Sequence, residues 1–191
     1  MVTLNKIYTR TGDGGDTGIV GSYRLSKHHP RIAAIGDVDE LNAAIGVAMQ
    51  ADLGDALRGM LLAIQNDLFD LGADLATPET QKGELRLAPG RIQKLEEMID
   101  EINDKLPPLE SFVLPSGPGG APALHLARAI ARRAERSVWA LKELGEPEGK
   151  VSEPVPTFLN RLSDLLFVAA RKASRDKGGE VLWVPGGASG E

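Results

Sequence analysis

From Pro30 onward the apolar residues recur at steps of three and four. Ile32, Ile35, Val38, Leu41, Ile45 and Ala48 form one stripe, and a second, from about Asp55 to Leu75, carries Leu57, Leu61, Ile64, Leu68, Leu71 and Leu75. That period gathers the apolar residues on one side of a helix and predicts amphipathic helices around a common core. A third stripe runs from about Pro89 to Leu106, a fourth from about Pro122 to Leu144 and a fifth from about Pro156 to Lys177. The punctuation agrees: Pro89 suits a first turn, Pro107-Pro108 stops the third helix, and Gly145 and Gly178-Gly179 end the fourth and fifth. Residues 1–29 lack this period, are rich in Gly, Thr, Asp and Tyr, and read as an extended, loop-like arm. Residues 178–191, with Val181-Leu182-Trp183-Val184, read as a short extended segment followed by a frayed end. The expectation is one all-α domain over 1–191: the arm (1–29), a five-helix bundle (30–177) and the tail (178–191). The longest connections, 77–88 and 112–121, have a length at which loops in compact bundles often carry function.

Composition narrows the chemistry. The 191 residues are 42% hydrophobic and 26% charged, which suits a packed globule and excludes wholesale disorder. With 22 Lys and Arg against 27 Asp and Glu, the net charge is −5, a poor basis for non-specific grip on nucleic acid. Aromatic residues at 4% are too sparse for a base-stacking platform. The absence of cysteine removes disulfides, thiolate metal sites and cysteine nucleophiles, and fits a reducing compartment. No apolar run reaches the roughly 18 residues of a membrane span, and the first residues hold no signal-peptide core. The expected protein is cytoplasmic, with neither a membrane nor a nucleic-acid partner.

Candidate chemistry lies in five places. The arm segment from Lys6 to Gly18 holds four glycines and three threonines, with Lys6 and Arg10 flanking them. Thr9, Arg10, Thr11, Gly12, Asp13, Gly14, Gly15 and Thr17 supply the N–H groups, hydroxyls and charge of a phosphate cradle, or equally of a turn-rich N-terminus. It is no Walker A loop, because Leu144 and Val151 stand where that motif needs Gly and Ser/Thr around Gly149-Lys150. Nor is it a dinucleotide fingerprint, since Thr17 follows Gly12 and Gly14 where a third glycine belongs. On the fourth helix Arg128, Arg132 and Arg136 are spaced four apart, with Glu135 beside them. Such a row of like charges invites an anion among them, or is a solvated face with one Arg–Glu pair. The first helix carries Asp37, Asp39, Glu40 and Asn42, with Asp39 at the margin of the apolar stripe, where an acid seeks a partner; the same acids would also suit the helix dipole. Asn160 and Asp164 share a face of the fifth helix, and Asn160 must bond another helix or a ligand. Phe112 begins a Pro/Gly-rich loop and, from its residues alone, reads first as a core aromatic at the bundle end. His28, His29 and His125 show no metal-ligand spacing.

The stretches KIYTRTGDGGDTG, RIAAIGDVDELNAAIG, FVLPSGPGGAPALHLARAIARRAER and FLNRLSDLLFVAAR, in this order from Lys6 to Arg171, resemble the PduO-type ATP:cob(I)alamin adenosyltransferases. The resemblance implies a ferritin-like five-helix bundle assembled as a homotrimer, with active sites between subunits. It implies transfer of the 5′-deoxyadenosyl group of ATP to cob(I)alamin, with Mg2+ accompanying ATP. It assigns Thr9, Arg10, Thr11, Gly12, Asp13, Gly14, Gly15, Thr17 and Lys27, together with Arg132, Glu135, Arg136 and Asn160, to ATP. It assigns Asp39 and Arg128 to an acid–arginine pair that bridges subunits beside the corrin, and Phe112 to an aromatic crowding the lower face of cobalt. Arg132, Phe112, Asp39 and Arg128 are thereby the expected catalytic set, and the resemblance names no side chains for the metal. Arg10 and Gly14 stand where many relatives carry lysine. The partners implied are a reductase supplying cob(I)alamin and an adenosylcobalamin-dependent enzyme taking the product. The competing expectations are a non-catalytic ATP- or cobalamin-binding carrier or sensor, and a structural helical oligomer.

Overall fold

The computed structural model describes residues 7–21, 23–77 and 85–187. Lys6, most of the 77–88 connection and the last four residues lie outside them. Five helices make up the body: α1 Pro30–Ala48, α2 Asp55–Leu75, α3 Gly90–Asn103, α4 Ala121–Lys142 and α5 Pro154–Arg175. The stripes read from the sequence are the buried faces. Leu41, Ile45, Leu61, Leu71, Leu124, Leu141, Phe158 and Leu162 are all closed off from solvent in a single core.

Consecutive helices run antiparallel, and specific polar contacts record it. Asn42 Nδ2 donates to the Gln65 carbonyl at 3.0 Å and Gln65 Nε2 returns a bond to the Asn42 carbonyl at 3.1 Å, tying the middles of α1 and α2. Gly120, before α4, lies against the end of α1, while Arg133 and Ser137 of α4 reach Asp37 further back along α1. Arg161 of α5 bonds Glu96 of α3, and Arg171 of α5 bonds the Pro107 carbonyl just beyond α3, so α3 and α5 run the same way. At the end of the bundle where α1 begins, Arg31 is 1% exposed and donates to the carbonyls of Leu75, Glu148 and Lys150 at 2.7–2.9 Å. Bonds from a charged donor to otherwise unpaired carbonyls contribute about 1.5–3 kcal/mol each. Arg31 therefore fastens three chain segments beneath the arm.

Helix boundaries shift by up to three residues from the sequence reading. α3 ends at Asn103 rather than Leu106, because Lys105 and Leu106 close tight turns onto the Ile102 and Asn103 carbonyls. α5 starts at Pro154, whose fixed φ suits a first turn, and ends before Lys177. The larger correction concerns the arm. It is no simple loop: β1 (Asp16–Gly18) pairs antiparallel with β2 (Arg24–Ser26), and the Val20 amide donates to the Ala76 carbonyl at the end of α2. The tail has the short extended segment that its residues suggest, where Val113 and Leu182 form an antiparallel bridge. Strands of three residues separated by a short turn give too little alternation to be seen as a period.

Candidate active site

The arm folds into a compact cradle. The Thr9 and Thr11 hydroxyls are 2.9 Å apart. Arg10 takes a left-handed φ of 62° and sets its guanidinium 5.6 Å from the Tyr8 ring centroid. Gly15, at φ 93°, occupies a conformation that favours glycine, and its carbonyl accepts from the Lys27 amide at 2.8 Å. Arg24 braces the turn by donating to the Thr11 and Asp16 carbonyls. The Lys27 Nζ lies 3.4 Å from where a β-carbon on Gly12 would stand. Thus Thr9, Arg10, Thr11, Gly12, Gly15 and Lys27 come together, with Asp13, Gly14 and Thr17 on the same turn and strand. The Lys27 amine makes no ion pair or hydrogen bond with another described residue, which leaves it available to an anion.

The second cluster is on the outer face of α4. Arg132 and Arg136 are exposed one turn apart, and Arg136 Nη1 donates to the Arg132 carbonyl at 2.9 Å. The Arg132 guanidinium has no partner among the described residues. Glu135 accepts from Asn160 Nδ2 at 3.1 Å, so the glutamate turns toward α5 rather than toward Arg132. The alternative of a locally neutralised Arg–Glu pair on this face is therefore excluded. Asn160 finds its partner on another helix, whereas Asp164 pairs with Arg161 on its own. Among the described residues no hydrogen bond or ion pair joins the arm to Arg132, Glu135, Arg136 or Asn160. One chain therefore holds the arm cluster and the α4 cluster apart.

The acids of α1 sort themselves. Asp37 accepts from Arg133 Nε at 3.0 Å and from Ser137 Oγ at 2.5 Å, Glu40 pairs with the same arginine, and Asn42 bonds α2. Asp39 alone is exposed and has no partner among the described residues. It borders an apolar cleft of about 470 Å³ between α1 and α2, lined by Ile32, Ile35, Leu68 and Phe69; Phe69 is 72% exposed. On α4, the Arg128 Nε is buried and lacks an acceptor among the described residues. A buried donor left unpaired costs about 1–3 kcal/mol. The role of Asp37 and Arg133 in joining α1 to α4 was not visible in the spacing of charges, because which face of α4 meets α1 is decided by the packing.

Phe112 is 77% exposed, which overturns its reading as a core aromatic. Its ring meets the edge of Trp183, at 5.8 Å between centroids and 70° between planes. An aromatic held out in solvent on a loop is a feature that folding alone does not require.

A family model described as cobalamin adenosyltransferase matches residues 7–173. The chain belongs to this family. The corrinoid adenosyltransferase of Mycobacterium tuberculosis (strain H37Rv) is 49% identical over 190 residues, covering 97% of this chain and 96% of that protein. The cobalamin adenosyltransferase of Cupriavidus metallidurans is 47% identical over 182 residues, covering 94% and 95%. Among solved structures, a phenylalanine-to-histidine variant of the PduO-type ATP:corrinoid adenosyltransferase from Lactobacillus reuteri, complexed with cobalamin and ATP, superposes with a TM-score of 0.86 at 39% identity. That alignment covers 94% of this chain and 97% of the Lactobacillus one. The all-α, five-helix architecture is therefore that of the adenosyltransferases. No helix among the described residues is long and apolar enough to cross a membrane.

Three residues before Arg128 on α4 lies a buried histidine. His125 on α4 is shielded from solvent, its Nδ1 has no partner, and its ring tilts against Phe167 at 6.1 Å. Burial chiefly, then the charge of Arg128, hold it below the ordinary histidine value, against an upward pull from Glu180. The unfolded chain therefore binds the proton more readily. Stability should fall as pH drops from the ordinary histidine value of about 6.5 through the lower folded value. Melting temperatures at pH 7 and pH 5 should differ more for the wild type than for His125→Leu; equal differences would assign the pH response to other groups.

Proposed function

We propose that the chain transfers the 5′-deoxyadenosyl group of ATP to cob(I)alamin, and that it does so as a homotrimer with sites between subunits. The carrying observation is Asp39, an exposed acid without a partner among the described residues, beside an open apolar cleft. A bridge from Asp39 of one subunit to Arg128 of the next would pair it. The same assembly would cover Phe69 and bring one subunit's arm toward a neighbour's α4 face, joining the two clusters.

The nucleophile is the cob(I)alamin substrate. A lone pair on cobalt attacks C5′ of ATP, the C5′–O5′ bond breaks, and its electron pair leaves with triphosphate. Cobalt passes formally from the +1 to the +3 state, giving adenosylcobalamin. No side-chain nucleophile or general base is needed, and the protein's contribution is position and charge. Thr9, Arg10, Thr11, Gly12, Asp13, Gly14, Gly15, Thr17 and Lys27 hold the nucleotide from the arm, and Arg132, Glu135, Arg136 and Asn160 from the α4–α5 face. Lys27, Arg132 and Arg136 stabilise the negative charge that grows on triphosphate. Phe112 occupies the lower face of cobalt and excludes an axial ligand there. A cobalt without that ligand is easier to reduce, because the incoming electron enters an orbital the ligand would raise. Among the described residues no cluster of three His, Cys, Asp or Glu side chains forms a metal cage. Mg2+ would accompany the phosphates of its nucleotide, in keeping with its preference for phosphate oxygens and retained water. A cytoplasmic setting fits the cysteine-free composition, with a cobalamin reductase upstream and an adenosylcobalamin-dependent enzyme downstream.

The test is anaerobic: protein, chemically reduced cobalamin and MgATP are mixed and the cob(I)alamin absorbance followed. The expected product is light-sensitive adenosylcobalamin. Binding of ATP or cobalamin without conversion would instead indicate a carrier or sensor. Asp39→Asn should weaken corrinoid affinity or subunit association about tenfold or more, the scale of a lost charge-assisted bond. Corrinoid titration and native mass measure it, and no change in either would refute the bridge.

A further inference from the structure

The C-terminal tail lies across the loop that carries Phe112. Two hydrogen bonds make the Val113–Leu182 bridge: the Leu114 amide donates to the Val181 carbonyl at 2.8 Å and the Trp183 amide to the Phe112 carbonyl at 2.7 Å. Ser111 Oγ donates to the Trp183 carbonyl at 2.9 Å. Three hydrogen bonds, from the Ser111 hydroxyl, the Phe112 carbonyl and the Leu114 amide, thus hold this loop to the tail, while the Phe112 ring touches Trp183 edge-on.

The tail is in turn locked to the bundle. The Glu180 side chain is buried and pairs with Arg171 Nε at 2.6 Å and with Arg175 at 3.7 Å. Arg171, itself buried, also donates to the Pro107 carbonyl at 2.9 Å, so one guanidinium ties the tail to the exit of α3. Ser174 Oγ donates to the Gly179 carbonyl at 2.6 Å. On the opposite side of the clasp Gly117 has φ 114°, and a β-carbon there would stand 2.6 Å from Ser174 Oγ. A glycine is required for the Phe112 loop to come this close to α5.

Two segments distant in sequence therefore form one clasp, and what it displays is an exposed ring. A phenylalanine in solvent samples several rotamers. An edge-to-face partner biases that choice by about two- to tenfold. We propose that Trp183 is a positioning residue that orients Phe112 for the corrinoid, with the Glu180–Arg171 pair as the latch holding Trp183 in place. This rests on the role proposed above for Phe112. Trp183 acts on the ring and its loop, and has no part in the electron-pair movements of the transfer.

The experiment compares full-length wild type, Trp183→Ala, Trp183→Phe, Glu180→Gln, Phe112→Ala and the Phe112→Ala/Trp183→Ala double variant. Trp183→Ala should lower kcat about tenfold, with the KM for ATP and the melting temperature close to wild type. The cob(II)alamin spectrum on the enzyme should show less of the species lacking its lower ligand. Trp183→Phe keeps an edge-to-face partner and should restore most of both. Glu180→Gln should shift the spectrum as Trp183→Ala does. In the Phe112→Ala background, Trp183→Ala should cost nothing more, since it acts through the missing ring.

A Trp183→Ala enzyme with wild-type kcat and spectrum overturns the proposal while leaving the transferase reading intact. So does a raised corrinoid KM with an unaltered spectrum, which would make Trp183 a direct corrin contact. A loss explained by a lowered melting temperature, or additive losses in the double variant, overturns it likewise. A wild-type chain without ATP-dependent conversion overturns both.

Discussion

Arg132→Ala is expected to cut turnover by two to three orders of magnitude, about what the loss of one preorganised donor to a developing anion costs elsewhere. Stability should hardly move. The Arg132 guanidinium is exposed and unpaired among the described residues, and surface changes of that kind stay within about 0.5 kcal/mol. This separation of activity from stability distinguishes a catalytic arginine from a structural one. Arg133 is the internal control: one residue along, it is engaged with Asp37 and Glu40, so Arg133→Ala should weaken the α1–α4 contact instead. Arg132→Lys sharpens the point, because lysine keeps the charge and loses the planar fork that grips two phosphate oxygens. Single-turnover rates with saturating cobalamin, set beside melting curves, measure both. Equal losses of rate and stability in Arg132→Ala would remove Arg132 from the transfer step.

Phe112→Ala carries the second large effect. The ring is mostly in solvent, so the fold has little to lose. The residues proposed to hold ATP lie on the arm and on the outer face of α4, so nucleotide affinity should be preserved. Turnover should fall by about tenfold to a hundredfold, the range in which misplacement of a reacting centre operates. The cause would show on the corrinoid: cob(II)alamin bound with ATP should keep its lower axial ligand in the variant and lose it in the wild type. If the variant still shows complete loss of that ligand, Phe112 does not exclude it and the drop in rate needs another origin.

Sequence and tertiary structure divided the information unevenly. The five apolar stripes were legible because a helix repeats its buried face every 3.6 residues, and α2 runs from Asp55 to Leu75 as the pattern implied. The Gly/Thr-rich arm and the arginine row of α4 were legible as residue groups as well, since Gly, Thr and Arg spacing is a local property. The arm hairpin was not, for three-residue strands leave no periodic trace. The partners of single charges were not legible either. Asp37, Asp39 and Glu40 look alike in the chain, yet two of them meet Arg133 and the third is left facing out. That choice depends on the rotation of α4 against α1, which the whole core sets. Phe112 was misjudged from its residues because burial is a property of the assembled loop and tail. By itself the sequence determined the helical bundle and the chemistry its residues can perform, because both follow from short-range pattern. Only the tertiary structure decided which arginine stays free, which acid stays unpaired and what stands beside Phe112, because those depend on contacts between segments as far apart as residues 112 and 183.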